Sequence, residues 1–316
     1  MIDFRYHIVS IVAVFLALAL GLFLGSTTLQ GAVFQDLQKH LTNAQNHVSA
    51  LETNVDQLNS QRNHDRSFDQ ALEPYAVAGR LSGQLVVIVS APGASGDIRS
   101  RLMTTLERAG ATVTADIRLQ SALIDPKQDA FLGGLADRVS IPGRDTPTGT
   151  GAERVVAQIA DVVGVRPETR PLPSTVITNV LSTYADGNLL TTPAVHGNQP
   201  RPGTLAILLT GASPARTADQ QLVQSEQTIL VDLAKDLDAS SLGAVVVGPP
   251  TPNGTGQTDL VATVQSGTGS GVSAVRGVDQ SAGRIAMVFA LVEQLNDKFG
   301  SYGTVPGATP LPTPSP

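Results

Sequence analysis

Five histidines, three methionines and no cysteine make up the chain's whole supply of soft or imidazole metal ligands. A transition-metal site draws on those residue types and needs them to converge on one ion. His40 and His47 come nearest to a pair, both at g positions of a heptad series described below. They share a helix face but lie about 10 Å apart along its axis at 1.5 Å per residue, too far to hold a common ion. Both read as exposed histidines of a helix. Met103 and Met287 fall in apolar helical stripes and read as core fillers, and His196 stands alone in a loop.

A second place for chemistry is Gly93-Ala94-Ser95-Gly96-Asp97, between an apolar run and a helical pattern. Loops in that position bind ligands in α/β folds, and helix N-termini attract anions. This one lacks the Walker lysine and hydroxyl and a complete dinucleotide fingerprint, so a tight turn is the simpler reading. No GxSxG, HExxH or paired-carboxylate constellation occurs. No catalytic or cofactor-binding residue is therefore assigned, the metal ligands stay unknown, and the chain is not expected to be an enzyme.

The net charge of −6 and a charged fraction of 15% argue against nucleic acid as a partner, which would call for a basic patch. Without cysteine, an extracytoplasmic fold has neither disulfides nor a thiolate metal site and rests on its core.

The element that positions the rest is the first quarter of the chain. From Ile8 to Gly25 the one weakly polar residue is Ser10, and there is no charge. A transmembrane helix needs about 20 mostly apolar residues, which predicts a crossing over 8–27 with Tyr6 at the interface. Arg5 is the only full positive charge near the span, and the next charge downstream is Asp36. Positive-inside logic puts residues 1–7 in the cytoplasm and the bulk outside it. A cleaved signal peptide is the alternative and would leave the protein secreted or in the outer envelope. The run is longer than a usual signal core, and no small-x-small site follows it cleanly, which favours an uncleaved anchor.

A heptad series follows, predicting a coiled coil over 28–73. The a sites are Phe34, Leu41, Val48 and Val55, and the d sites are Leu37, Ala44, Leu51 and Leu58. Apolar residues at alternating spacings of three and four are the coiled-coil seam. Val at a with Leu at d favours a parallel two-stranded coil, hence a homodimer. Further on, Arg62, Asp65 and Asp69 fall on the seam and only Leu72 recovers it. An amphipathic helix packed on its own domain is the alternative that periodicity leaves open.

From 79 to 300 the pattern changes to alternating strands and helices. Leu85–Val89, Ala111–Leu119, Leu205–Leu209, Gly243–Val247 and Val272–Val275 read as strands. Helical patterns occupy 98–109, 126–138, 152–163, 174–184, 218–237, 259–264 and 279–298. Parallel crossovers need helices on the sheet faces, so a three-layer extracytoplasmic α/β domain with a mainly parallel sheet is expected. The strand-loop-helix theme at Leu85 and again at Leu205 suggests two related halves. Residues 304–316 are Pro-rich and are expected to be disordered.

The opening string MIDFRYHIVSIVAVFLALALGLFLG, followed by a heptad helix, resembles the start of the mycobacterial copper transport protein B family of actinobacteria. The closing segment GVSAVRGVDQSAGRIAMVFALVEQLNDKFGSYG resembles that family's end, and the LVVIVSAPGA and ERAGATVTADIRL steps match its layout. The resemblance covers most of residues 1–303. It implies a cell-envelope protein of copper homeostasis or export, with copper implied by the resemblance alone and no catalytic motif to carry over. The alternative from the residues is a coiled-coil dimeric envelope scaffold or regulator that docks a protein partner, without transport or catalysis of its own.

Overall fold

The computed structural model describes residues 4–211, 220–250, 260–264, 271–304 and 309–312, with the side chains of 26–36 and 220–221 outside that description. The chain divides into two compact units, Met1–Asp65 and Arg66–Pro316. One long helix, α1, runs Phe4–Val77.

In the first unit, Phe4–Gly25 is long and apolar enough to cross a membrane, with a mean hydropathy of 2.8 and none of it buried. The seam residues Leu37, Leu41, Val48, Leu51, Val55 and Leu58 are 53–63% exposed. Ala44 is exposed as well, and the side chain of Phe34 lies outside the described residues. Hydroxyls on this stretch satisfy themselves locally: Thr42 donates to the Gln38 carbonyl and Thr53 to that of Ser49, the usual back-bond of a mid-helix Ser or Thr.

The second unit is a three-layer α/β domain. In chain order it holds β1 (Leu85–Ser90), α2 (Gly96–Arg108), β2 (Thr112–Leu119), α3 (Asp129–Ala136), α4 (Gly151–Val163), α5 (Ser174–Asp186), β3 (Leu190–Thr191) and β4 (Leu205–Leu209). There follow α6 (Gln220–Ser240), β5 (Ala244–Gly248), α7 (Leu260–Thr263), β6 (Ser273–Arg276), α8 (Ser281–Gln294) and β7 (Ser301–Gly303). The sheet order is β3-β2-β1-β4-β5-β6-β7. Every pairing is parallel except the β2–β3 edge, where Leu119 faces Leu190. β1 and β4 lie side by side at the centre, so the two strand-loop-helix repeats diverge from the middle of the sheet.

The period-2 alternation of a strand sends its side chains to both faces, and both are covered. Val86, Ile88, Leu205 and Ile207 join Leu102 and Leu106 of α2 and Met287 and Leu291 of α8 in one layer. Val87, Val89, Ala206 and Leu208 join Val156 and Ile159 of α4 and Leu230 and Leu233 of α6 in the other. That is why the strands read as unbroken apolar runs.

Differences from the sequence reading are local. The pattern at 126–138 splits into a 3₁₀ turn, Pro126–Gln128, and α3, because the Asp125 side chain caps the turn by accepting from the Lys127 N–H at 3.0 Å. The start of the expected helix at 218 lies outside the described residues. The last helix ends at Gln294 rather than Lys298, and Asp297 takes a positive φ of 53° just beyond it. Two strands are additional, β3 and β7. Of the Pro-rich tail, Thr309 bridges Tyr302 in parallel and Pro312 is buried, while 305–308 and 313–316 lie outside the described residues.

Candidate functional site

The last turns of α1, within the second unit, show two faces. Asp69, Glu73, Ala76 and Val77 are buried or half-buried, at the i, i+4, i+7, i+8 spacing of one helix stripe. Glu73 is the centre of that contact. Arg284, in the first turn of α8, grips it bidentately: Nη2 donates to Oε2 at 2.6 Å and Nε to Oε1 at 3.1 Å. The Thr105 hydroxyl of α2 donates to Oε1 as well. The remaining Arg284 hydrogens go to the Ser281 hydroxyl at 2.8 Å and to the carbonyls of Val278 and Asp279 at 3.3 and 3.1 Å.

All five guanidinium N–H donors are thereby used. That is the condition under which a buried ion pair repays its desolvation. Burial alone would push the Glu73 carboxyl up. Hydrogen bonds from Arg284, Thr105 and Ser281, with the Arg284 charge, outweigh it and hold the group below the ordinary glutamate value.

Two clefts adjoin this clamp. One, of about 260 Å³, is polar and is lined by Arg66, Asp69, Arg101, Asp279 and Arg284 among others. Two of its cations are answered from within the chain: Arg101 pairs with Asp97 at 2.8 Å, and Arg284 with Glu73. The other, of about 580 Å³, is an apolar groove walled by Leu72 and Ala76 of α1, Ile285 and Phe289 of α8, and Leu311. Arg80 stacks its guanidinium 4.4 Å from the centre of the Phe289 ring, a cation–π contact that covers one face of that ring.

The chemistry-bearing residues singled out in the sequence do not converge. The loop Gly93–Asp97 is a helix start closed by its own residues, for Ser95 caps α2 by accepting from the Ile98 N–H at 3.4 Å. Asp97, in the first turn, turns aside to Arg101. Across the loop, a Cβ on Gly211, two residues past β4, would come within 3.1 Å of the Pro92 carbonyl, so the described backbone past β1 and β4 approaches closely at the switch point of the sheet.

His196 meets Glu107 at 2.8 Å, Met287 is fully buried and Met103 packs against the core, and His40 and His47 are exposed on α1. Among the described residues no group of three or more His, Cys, Asp or Glu is placed to hold a metal ion. Pattern reading passed over the Glu73–Arg284 clamp. Its signal was Arg284 itself, a lone charge opening the apolar stretch IAMVFAL.

What carries a functional assignment is the chain taken whole. The sequence model of the family described as copper transport outer membrane protein, MctB, matches residues 1–313. The chain belongs to the MctB family. Among curated relatives, the copper transporter MctB of Mycobacterium tuberculosis (strain ATCC 25618 / H37Rv) is 24% identical over 317 residues, covering 98% of each chain. The copper transporter MctB of Mycobacterium leprae (strain TN) is 25% identical over 329 residues, covering 99% of this chain and all of the relative. MctB membership supports a copper-related envelope role. The family's description and the apolar Phe4–Gly25 helix both fit a membrane-anchored protein.

Proposed function

We propose that this protein acts in copper homeostasis or export as a single-pass envelope protein, with residues 1–7 cytoplasmic, a crossing over 8–27 and the α/β domain outside the cytoplasm. The observation that carries the reading is the family match from residue 1 to 313. Copper enters it as cargo rather than as a resident cofactor. The donor set is poor in thiolate and thioether, and His196 faces a single carboxylate. One apolar helix lines no channel by itself, so movement of copper requires self-association or a partner in the membrane. Neither catalysis nor nucleic-acid binding is part of the reading.

Cell-associated copper in a deletion strain tests it, at several external copper concentrations, with the intact gene and a Leu51→Asp variant restored in parallel. Deletion is expected to raise cell copper and the intact gene to lower it again. Unchanged copper across all strains would sink the transport reading.

The exposed seam of α1 favours a second reading, a parallel coiled-coil dimer that serves as an envelope scaffold for a protein partner. Unchanged copper with damaged envelope integrity, rescued by the intact gene and not by Leu51→Asp, is the outcome that selects it.

A further inference from the structure

On the side of α1 next to the clamp, the same turns carry a second stripe at i, i+4, i+7: Phe68, Leu72 and Tyr75. These are 68%, 42% and 83% exposed. Large aromatics left this open, beside an apolar groove of about 580 Å³, mark an interaction surface. The heptad count identifies what covers them. Carried forward from Leu41 at a, it puts Asp69 and Ala76 at a, Leu72 at d, Phe68 and Tyr75 at g, and Glu73 at e. The stripe therefore stands in register with the seam residues Leu37 to Leu58, after the charged positions Arg62 and Asp65.

In a parallel dimer the g residue of one helix packs beside the e residue of the other helix's next heptad. For Phe68 that neighbour is Glu73 of the second copy, the residue that turns inward to Arg284. The groove lies on this same flank, between Leu72 and Ala76 of α1 and Ile285 and Phe289 of α8.

We propose that each copy seats its Phe68 and Tyr75 at the apolar α1/α8 groove of a second copy, so that a parallel dimer extends onto both α/β domains. This rests on the parallel-coil reading and adds to it a named pocket and the residues that enter it. The two-fold symmetry makes the contact twice over with the same residues, as an isologous interface requires. A lipid surface fits the patch less well, since the charged Arg66 and the polar Gln70 are exposed on the same turns. The chain's own tail already supplies one wall of the groove through Pro310 and Leu311.

The absence of cysteine makes the test direct. Single-cysteine variants Leu51→Cys, Leu72→Cys and Ala71→Cys of the full chain, in native membrane vesicles, are exposed to a mild oxidant. Disulfide-linked dimer is then followed over time on denaturing gels. The d positions Leu51 and Leu72 are expected to link at similar rates and the off-seam Ala71 at least tenfold more slowly. Adding Phe68→Ser and Tyr75→Ser should slow linkage at Leu72→Cys at least tenfold and leave linkage at Leu51→Cys unchanged.

Linkage at Leu51→Cys without linkage at Leu72→Cys would overturn the proposal and leave the coil standing. Failure at both would remove the coil reading along with it. Equal rates at Ala71→Cys and Leu72→Cys would reveal random collision. Indifference of Leu72→Cys to the loss of both aromatics would show that they do not seat there. A linked product of some other mass would assign the groove to a different protein. Each of these five results overturns the second-copy contact.

Discussion

The long helix and the α/β domain use the same apolar residue types to opposite ends. In the domain, Val86 to Val89 and Leu205 to Leu209 are fully or almost fully buried, and the helices that cover them belong to the same chain. In α1, the valines and leucines of the seam and all of Phe4–Gly25 stand exposed. Exposed apolar surface of that extent signals a partner or a membrane rather than a stable end state. The contrast teaches that the domain's stability is written within one chain, whereas the helix is written for surroundings that one chain does not contain. Perturbations of the two regions should therefore separate cleanly.

The largest separation is expected from Leu51→Asp. In a two-stranded coil it places a carboxylate at the same level in each helix, in an apolar seam, at an effective penalty of several kcal/mol per ion. Sedimentation of the full chain in detergent should show a monomer. Thermal melting of the α/β domain, followed in the same sample, should fall only by what the contact at the α1/α8 groove contributes. A Leu51→Asp chain that stays dimeric removes the seam from the comparison altogether.

The converse cut is Glu73→Ala. It leaves the buried Arg284 guanidinium without its counter-ion, a loss of about 3–5 kcal/mol, read as a drop in the domain's denaturation midpoint. Replacing both partners by methionine should recover most of it, since a well-packed apolar pair of similar volume is often neutral or better. If the double replacement is no more stable than the single one, desolvation is not what the clamp balances.

Acid sharpens the same point, because the domain holds a second, differently furnished carboxylate. Asp236 lines a cavity of about 200 Å³ with Asp161, Arg144 and Arg166. Burial, with the charges of Asp232 and Asp161, pushes it up to about 6. Its folded value lies above the unfolded one of about 3.9, so its contribution is full below the unfolded value and is lost as pH rises through about 6. Glu73 runs the other way, its folded value lying below the unfolded one of about 4.3. Its contribution is present above that unfolded value and is lost as pH falls through the folded one. Between pH 5 and 7.5 the melting temperature should fall with rising pH. Asp236→Asn should lessen that slope, the remainder falling to Asp161, Glu226 and Asp238, which burial also pushes up, and Glu73→Gln should not; a slope unchanged by Asp236→Asn assigns it elsewhere.

Much of the fold was legible because its signals are long. Leu205–Leu209 is an unbroken apolar run and forms β4 residue for residue, and the heptad of α1 repeats over several turns. What could not be read was short or settled across space. β3 has two residues and β7 three, too few for any periodicity, and both are edge strands selected by the neighbour they pair with. α2 is capped by Ser95, while the acidic Asp97 two residues on sits in its first turn and pairs with Arg101. The Glu73–Arg284 clamp joins residues 211 positions apart, and neither partner's local pattern points to the other. The seam was visible as spacing, whereas the apolar groove of the second unit exists only once α8 returns against the last turns of α1.

The smallest expected effect tests the separation most finely. Thr150 and Glu153 form a reciprocal capping box at the start of α4: the Thr150 hydroxyl accepts from the Glu153 N–H at 3.2 Å, and the Glu153 carboxylate accepts from the Thr150 N–H at 2.9 Å. Such a box satisfies two of the N–H groups that a helix start leaves without partners. Thr150→Ala removes one bond and loosens the other, a cost of about 1 kcal/mol. In a domain of this size that is a fall of about 2–4 °C in melting temperature. α4 packs in the layer opposite α2 and α8, away from the clamp and the groove, so disulfide trapping at Leu51→Cys and Leu72→Cys should be identical with and without the substitution. A change in Leu72→Cys trapping would mean that strain crosses the sheet to the α1 face, and that the groove is set by the whole domain rather than by α1 and α8.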